Sequence, residues 1–430
     1  MQKNHYQPLV SGESSSETSF FVNFAALLIG VFALAACRLC GKIDFTYQFI
    51  LFSVVVALSV AVFEYIFYPK TSALRQWRVL RKINRKRVFY KEVALIVTFA
   101  AIAFLYFLLP MYQTKMFFDY FPFLHVVVPF LLVASFPYFC LMEKIDPEPD
   151  DIYFKIGYAV THLKKTITAF EFGNYVRSWL IKAFWLALME PQMLEKIIWF
   201  DRFDWHEVVS HPEALYWSLY FVCFFIDLTY ASVGYIMNFK ILNTQTRTAE
   251  PTFLGWFAAI MCYWPFWGIL FYNYFFGYGD AYAWMNVFET GGAMWWLWGA
   301  IILFLDFLYA MATVSAGIRF SNLTYRGLWR TGLYRITKHP AYVFKNLSWW
   351  FVALPLFNAD AVTAVRSFFL LLCVNMIYYV RARTEERHLS HYPEYEKYAL
   401  EMNEKSIFRG LAKVLPFLKY KPLRPEDRLF

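Results

Sequence analysis

The sequence predicts an all-α protein: a polytopic transmembrane helix bundle closed by a C-terminal helical hairpin and a cytosolic tail. Three observations lead there. Of 430 residues, 59% are apolar and 22% aromatic. Only 17% are charged, where a soluble domain usually carries about 25%. Apolar runs of the length needed to cross hydrocarbon as helix, roughly 20 residues, recur along the whole chain rather than in one segment.

In order, the clear spans are 19–38, 46–68, 92–110, 122–142, 215–237, 254–276, 294–316 and 361–380, with weaker candidates at 179–200 and 341–357. No internal repeat is evident. The first span resembles a lipoprotein signal at Leu34-Ala35-Ala36-Cys37. Glu13 and Glu17 stand where a basic leader should be, so it reads as an uncleaved helix. The pair Cys37 and Cys40 has metal-like spacing but no second pair or neighbouring histidine, and the six cysteines do not form a disulfide pattern.

Charge orients the spans. Residues 70–91 hold nine Lys and Arg and no acid, which places this loop in the cytosol. So short a juxtamembrane block is a topology signal suited to anionic headgroups, not a nucleic-acid site. Both termini then face the cytosol. The loop 317–340, with Arg319, Arg326, Arg330, Arg335 and Lys338, belongs on the same side. Between 142 and 317 the chain must therefore cross an even number of times. The strong spans there are three, so 179–200 must also cross, despite Lys182 and Glu190 and with a break expected at Pro191. The loop 277–291, with Asp280 and Glu289 and no basic residue, then falls outside.

The organisation that follows is an N-terminal transmembrane region, 1–290, with the basic loop 70–91 and a cytosolic insertion, 143–178. A membrane domain, 291–405, and a basic tail, 406–430, complete it. In the insertion, Asp146-Pro147-Glu148-Pro149-Asp150-Asp151 reads as a helix-ending loop rather than a cation site. Ile156, Ala159, Leu163, Ile167 and Phe170 then form the apolar side of an expected interfacial helix.

Chemistry concentrates near the C-terminus. The stretch 331–342 contains Gly332, Tyr334, Arg335, Lys338, His339, Pro340 and Tyr342. Pro340 suits a first helical turn, where its missing donor leaves nothing unpaired. The spans 341–357 and 361–380, joined by Asn358-Ala359-Asp360, are basic at both outer ends and read as a hairpin returning to its own side. The second cluster, Asn375 to His388, therefore comes back beside the first. On that helix Asn375, Tyr378 and Glu385 share one face, and Tyr379, Arg383 and Glu386 the adjacent one. His388 and His391 lack a third ligand, so no metal is expected.

The pattern Gly-x-Tyr-Arg-x-x-Lys-His-Pro-x-Tyr, an apolar hairpin, then Glu385-Glu386 and the tyrosines 392, 395 and 398, resembles the isoprenylcysteine carboxyl methyltransferase family. That family shares its C-terminal pattern with phospholipid N-methyltransferases, and the resemblance covers about 290–405. It implies a methyltransferase with a cytosol-facing S-adenosylmethionine site and a lipid or lipidated acceptor. His339, Pro340 and Tyr342 would contact the cofactor, Glu385 or Glu386 its polar end, and Arg383 would lie near the transfer point. The candidate set is thus Arg383, Glu386 and Asn375 for the transfer. Tyr334, Arg335, Lys338, His339, Pro340, Tyr342, Glu385 and Glu386 would hold the cofactor. One departure is Phe344, where the family often has Gly.

Two other classes compete. A sterol-reductase-like NADPH enzyme also carries a C-terminal cytosolic pocket, but its pattern has an Asn that Pro340-Ala341-Tyr342 lacks. A non-catalytic transporter or scaffold would use the intramembrane acids Asp227 and Asp306, which are functional candidates by default. These acids read equally well as lining a lateral entry or as partners of Lys182 or nearby tyrosines.

Overall fold

A computed structural model describes residues 16–41, 43–68, 74, 77–118, 120–164, 166–268, 284–353 and 361–423. The helices are α1 (Phe20–Cys40), α2 (Phe45–Phe67), α3 (Arg85–Leu108), α4 (Tyr120–Ile145), α5 (Ile152–His162), α6 (Ala169–Asp201), α7 (Trp205–Ser210), α8 (Pro212–Ile236) and α9 (Phe253–Ile260). After them come α10 (Trp284–Val287), α11 (Ala293–Ala316), α12 (Pro340–Val352), α13 (Ala361–Leu389), α14 (Pro393–Lys405) and α15 (Arg409–Val414). Two short strands, β1 (Thr248–Ala249) and β2 (Thr324–Tyr325), pair antiparallel. Among the described residues, seven helices are long and apolar enough to cross a membrane. Together with the near absence of strand, that establishes an all-α polytopic bundle.

Local chemistry fixes the helix ends. Asp44 caps α2, accepting from the Thr46 N–H. Thr168 and Glu171 cap α6 reciprocally. Helix α3 begins seven residues before the apolar run expected at 92. Asn84 accepts from the N–H groups of Lys86 and Arg87; Arg85 and Lys86 are exposed, while Arg87 and Lys91 are paired with acids. Lys91, fully buried, lies 3.3 Å from Glu143 and 3.0 Å from Asp151. Arg87 meets Glu143 at 3.1 Å and also pairs with Asp150.

The expected interfacial helix through Phe170 is two elements. Helix α5 ends at His162, and Leu163 takes a left-handed conformation, φ 51°. Phe170 belongs to α6. Helix α5 lies so close to α3 that a Cβ on Gly157 would stand 1.7 Å from the Tyr90 carbonyl oxygen. Only glycine permits that approach.

Contacts sort the helix ends into two sets. At one end the Asn23 amide of α1 reaches the Val314 carbonyl of α11 at 2.9 Å. Arg319 pairs with Glu64 of α2 at 2.8 Å, and Lys240 with Asp146, after α4, at 2.6 Å. Asn174 of α6 bonds Arg247 and Ala249. Arg326 donates to the carbonyls of Gly234, Met237, Thr244 and Phe320. At the opposite end Arg38 donates to the carbonyls of Phe200 and Phe203, and Tyr216 packs on Trp284 and Trp295. Helix α6 therefore runs from end to end, as the crossing count requires, and continues unbroken through Pro191.

The stretch 254–276 is different from expectation. Helix α9 stops at Ile260 and the chain turns at 261–265, with a cis bond before Pro265. Residues 266–268 are helical again, and 269–283 lie outside the described residues. The hairpin loop 354–360 is also outside them. One apolar cluster runs from Val22 to Ile318 and joins α1, α2, α6, α8 and α11. Helix α12 lies against α11, and α13 against α9 and α12.

Candidate functional site

The N-terminal arm and the loop before α12 build one floor. Glu17 accepts two hydrogen bonds from Arg247, at 2.7 and 2.8 Å. The Phe20 N–H donates to Thr331 Oγ1 at 2.8 Å. Gly332 follows with φ +54°, and a Cβ there would meet Ser315 Oγ at 2.2 Å. That turn aims 332–339 into α12, which Pro340 opens and His339 precedes.

The start of α12 and the end of α13 then meet. His339 Nε2 lies 3.1 Å from Glu386 Oε1, and Lys338 Nζ lies 2.6 Å from the same oxygen. Arg383 Nη1 holds the other oxygen of Glu386 at 2.5 Å. Tyr342 Oη donates to Glu385 Oε2 at 2.7 Å. The rings of His339 and Tyr342 are stacked, 5.4 Å apart and 6° from parallel. Burial lowers the pKa of the Lys338 ammonium, and the Glu386 carboxylate opposes that shift. Burial raises the pKa of the Tyr334 phenol, and the charge of Glu385 adds to it.

The two faces read from spacing on α13 stay distinct, so the neighbouring glutamates look into different spaces. Glu385, with Tyr342, Arg381, His388, Thr324 and Glu250, lines a small inner cavity of about 20 Å³, room for about one water. Glu386, with Tyr379, Arg383, Arg387, Ser390 and Tyr420, lines an outer cleft of about 360 Å³. Only the outer cleft reaches the ~300–1,000 Å³ common for ligand sites.

Pro340, His339, Lys338, Tyr342, Glu385, Glu386 and Arg383 thus come together. Tyr334 stands behind them, its carbonyl accepting from Tyr398 Oη at 2.7 Å. Arg335 is exposed and donates to the Arg330 carbonyl at 3.4 Å. Asn375 lies three turns deeper than Glu386 and bonds the Leu371 carbonyl of its own helix at 2.7 Å. Phe344 is buried.

Several residues at the site were not in the sequence-derived set. Arg381 is 6% exposed. Its guanidinium pairs with Asn322 and lies over Tyr342 and Tyr263, 4.9 and 5.5 Å from their ring centres. Asn322 in turn donates to Tyr235 and Tyr263 at 2.8 and 2.9 Å. Glu250, after β1, contacts Arg387 at 3.4 Å. His388 Nε2 is 2.9 Å from Thr248 Oγ1, and His391 Nδ1 turns to the His388 carbonyl. The signal for Arg381 was present but read only as a basic flank. Glu250 and Tyr263 had none, since nothing in their own stretches marks them.

The intramembrane acids have local partners. Asp227 accepts from Tyr309 Oη at 2.7 Å and from Thr313, both on the helix that carries Asp306. Lys182 instead lies over the Trp179 ring, 4.2 Å from its centre.

With this geometry in hand, comparison with known proteins adds one match. Residues 298–391 match the Isoprenylcysteine carboxyl methyltransferase (ICMT) family. The matched segment holds the start of α12 and the end of α13, and leaves out Glu250, Tyr263 and the arm at Glu17. No curated protein and no solved structure matches the chain.

Proposed function

We propose that this chain is an integral membrane methyltransferase that uses S-adenosylmethionine to methylate a lipid or lipidated acceptor at the cytosolic face. The observation that carries the reading is the joining of Lys338, His339 and Tyr342 to Glu385 and Glu386 inside the segment similar to that family.

The residues fit the cofactor's charges. When bound, S-adenosylmethionine supplies a methyl group on a sulfonium cation. A carboxylate and stacked aromatic faces, Glu385 with His339 and Tyr342, suit that cation. Arg383, which lines the outer cleft, and Lys338, beside it on Glu386, suit its carboxylate. Methyl transfer is an in-line displacement, so holding both reactants in register can supply much of the rate. Tyr342 is itself held, by Glu385 on one side and by the Arg381 guanidinium on its face. The apolar surround of α11–α13 gives a lipid acceptor a direct approach.

The cytosolic assignment rests on charge. The site lies at the bundle end where the basic loop runs through Arg78, Arg81 and Lys82 into Arg85, Lys86 and Arg87 at the start of α3.

Calorimetry on the purified chain tests the reading. S-adenosylhomocysteine should bind with micromolar affinity, and His339→Ala or Glu386→Gln should remove that binding. NADPH binding instead would favour the reductase reading. Undiminished S-adenosylhomocysteine affinity in both variants would rule out this site.

A further inference from the structure

The segment after α14 carries a chemistry that the site does not use. From 404 to 421 it holds Lys405, Arg409, Lys413, Lys419 and Lys421, against the one acid Glu404. Its apolar side chains point outward: Ile407, Leu411, Val414 and Phe417 are 57%, 48%, 76% and 52% exposed. They follow one another at intervals of four, three and three. Leu411 and Val414 are one turn apart on α15, with Ile407 exposed in the turn before that helix and Phe417 exposed in the 3-10 turn after it.

This excursion is held at both ends. At its start the Ile407 N–H donates to the Ile336 carbonyl at 3.0 Å. At its close Tyr420 is buried. The Tyr420 backbone exchanges two hydrogen bonds with the Asn403 side chain, each 2.9 Å, and its hydroxyl lies 2.7 Å from Ser390 Oγ. The residues between are displayed rather than loose.

Their depth is fixed by α13. The Phe417 ring packs edge-on against Tyr379, 5.7 Å between centres, and Tyr379 Oη donates to the Phe417 carbonyl at 3.2 Å. Tyr379 stands at the end of the apolar run of α13, and Arg381 and Arg383 follow. Phe417 is thus level with the passage of α13 from hydrocarbon to headgroups.

Exposed apolar side chains at that level, flanked by lysines, match a lipid interface. The apolar groups enter the acyl boundary while the long basic stems reach the phosphates. We propose that 406–421 is an interfacial foot that docks on the anionic lipid surface around the site end of the bundle. Docking of this foot does not depend on the methyltransferase activity. It touches the site, because the Lys419 carbonyl accepts from Arg383 at 3.4 Å and Tyr420 and Lys421 line the outer cleft.

Hydrogen exchange on the full chain in nanodiscs tests it. Discs of phosphatidylcholine alone are compared with discs containing phosphatidylglycerol. Exchange across 406–419 should be slower in the anionic discs by about tenfold or more, since each basic residue near such a surface adds up to about fivefold in binding. The difference should shrink in high salt. It should vanish in the triple variant Lys405→Gln, Arg409→Gln, Lys413→Gln, whose changes are all at exposed side chains. Equal exchange of the native chain in the two lipids would overturn the proposal, and so would protection that survives the triple variant. The native comparison stands even if the variant is poorly made.

Discussion

Arg381 and Arg383 are two residues apart on one helix and do different work. Arg383 is half-buried on the cleft side and holds Glu386. Arg381 is buried on the cavity side among Tyr263, Tyr342 and Tyr378. A lysine keeps the charge but not the planar face that stacks on three rings. Arg381→Lys should therefore weaken S-adenosylhomocysteine binding about tenfold or more in calorimetry, roughly the 1.4 kcal/mol of a stacked cation contact. Unchanged binding would remove Arg381 from the site. The Lys91–Glu143 pair is the contrasting case. Both side chains are fully buried, so Lys91→Met alone should lower stability by about 3–5 kcal/mol. Lys91→Met with Glu143→Leu should recover most of that, as read by thermal unfolding in detergent. At this scale the sequence was informative where a residue's neighbours in the chain supply its partners. His339, Tyr342 and the two glutamates were legible because a hairpin returns them to each other. Arg381 was misjudged because its partners, Asn322 and Tyr263, are far away in sequence. Lys91 was taken for a topology signal because an ion pair with Glu143 leaves no local trace.

Elements follow the same division. Spans at 19–38, 46–68, 122–142, 215–237 and 294–316 were read to within a few residues, because length and hydropathy decide them. The errors lie where a polar group was satisfied inside the protein. Helix α3 starts early because Asn84 caps it and Glu143, Asp150 and Asp151 pair with Arg87 and Lys91. Helix α9 ends early because Pro265 and the turn before it interrupt an apolar run that hydropathy treats as continuous. Helix α5 gives a direct test of packing. Its approach to α3 leaves no room at Gly157, so Gly157→Ala should force the two apart and lower stability by about 1–3 kcal/mol. A thermal midpoint equal to that of the native chain would contradict the close approach.

For the whole molecule, the parity of crossings made the one inference that no single segment could. A charged stretch at 179–200 is expected to cross so that two basic loops can share a side; α6 runs the length of the bundle without being among the seven described helices apolar enough to span. This yields a prediction on sides. In sealed vesicles, a cysteine placed at Leu163, before α6, and one placed at Glu207, after it, should react with an impermeant reagent from opposite faces. Labelling of both from one face would remove α6 as a span. The same view relocates the role of the first 290 residues. They supply Glu250 to the inner cavity, Tyr263 to the Arg381 cage and Glu17 to the floor beneath the loop, so the site is assembled from both ends of the chain.

The Arg326 knot has a consequence for how such a chain is made. Its guanidinium takes the last carbonyl groups of α8, at Gly234 and Met237, at 2.7 Å each, yet it lies 92 residues beyond Gly234. During synthesis α8 is laid into the membrane with that end unmet, and it stays so until α11 has followed and the loop behind it emerges. A nascent chain halted before Arg326 therefore presents an open helix end at the future site. Biogenesis must shelter that end until the last third of the protein arrives to tie it.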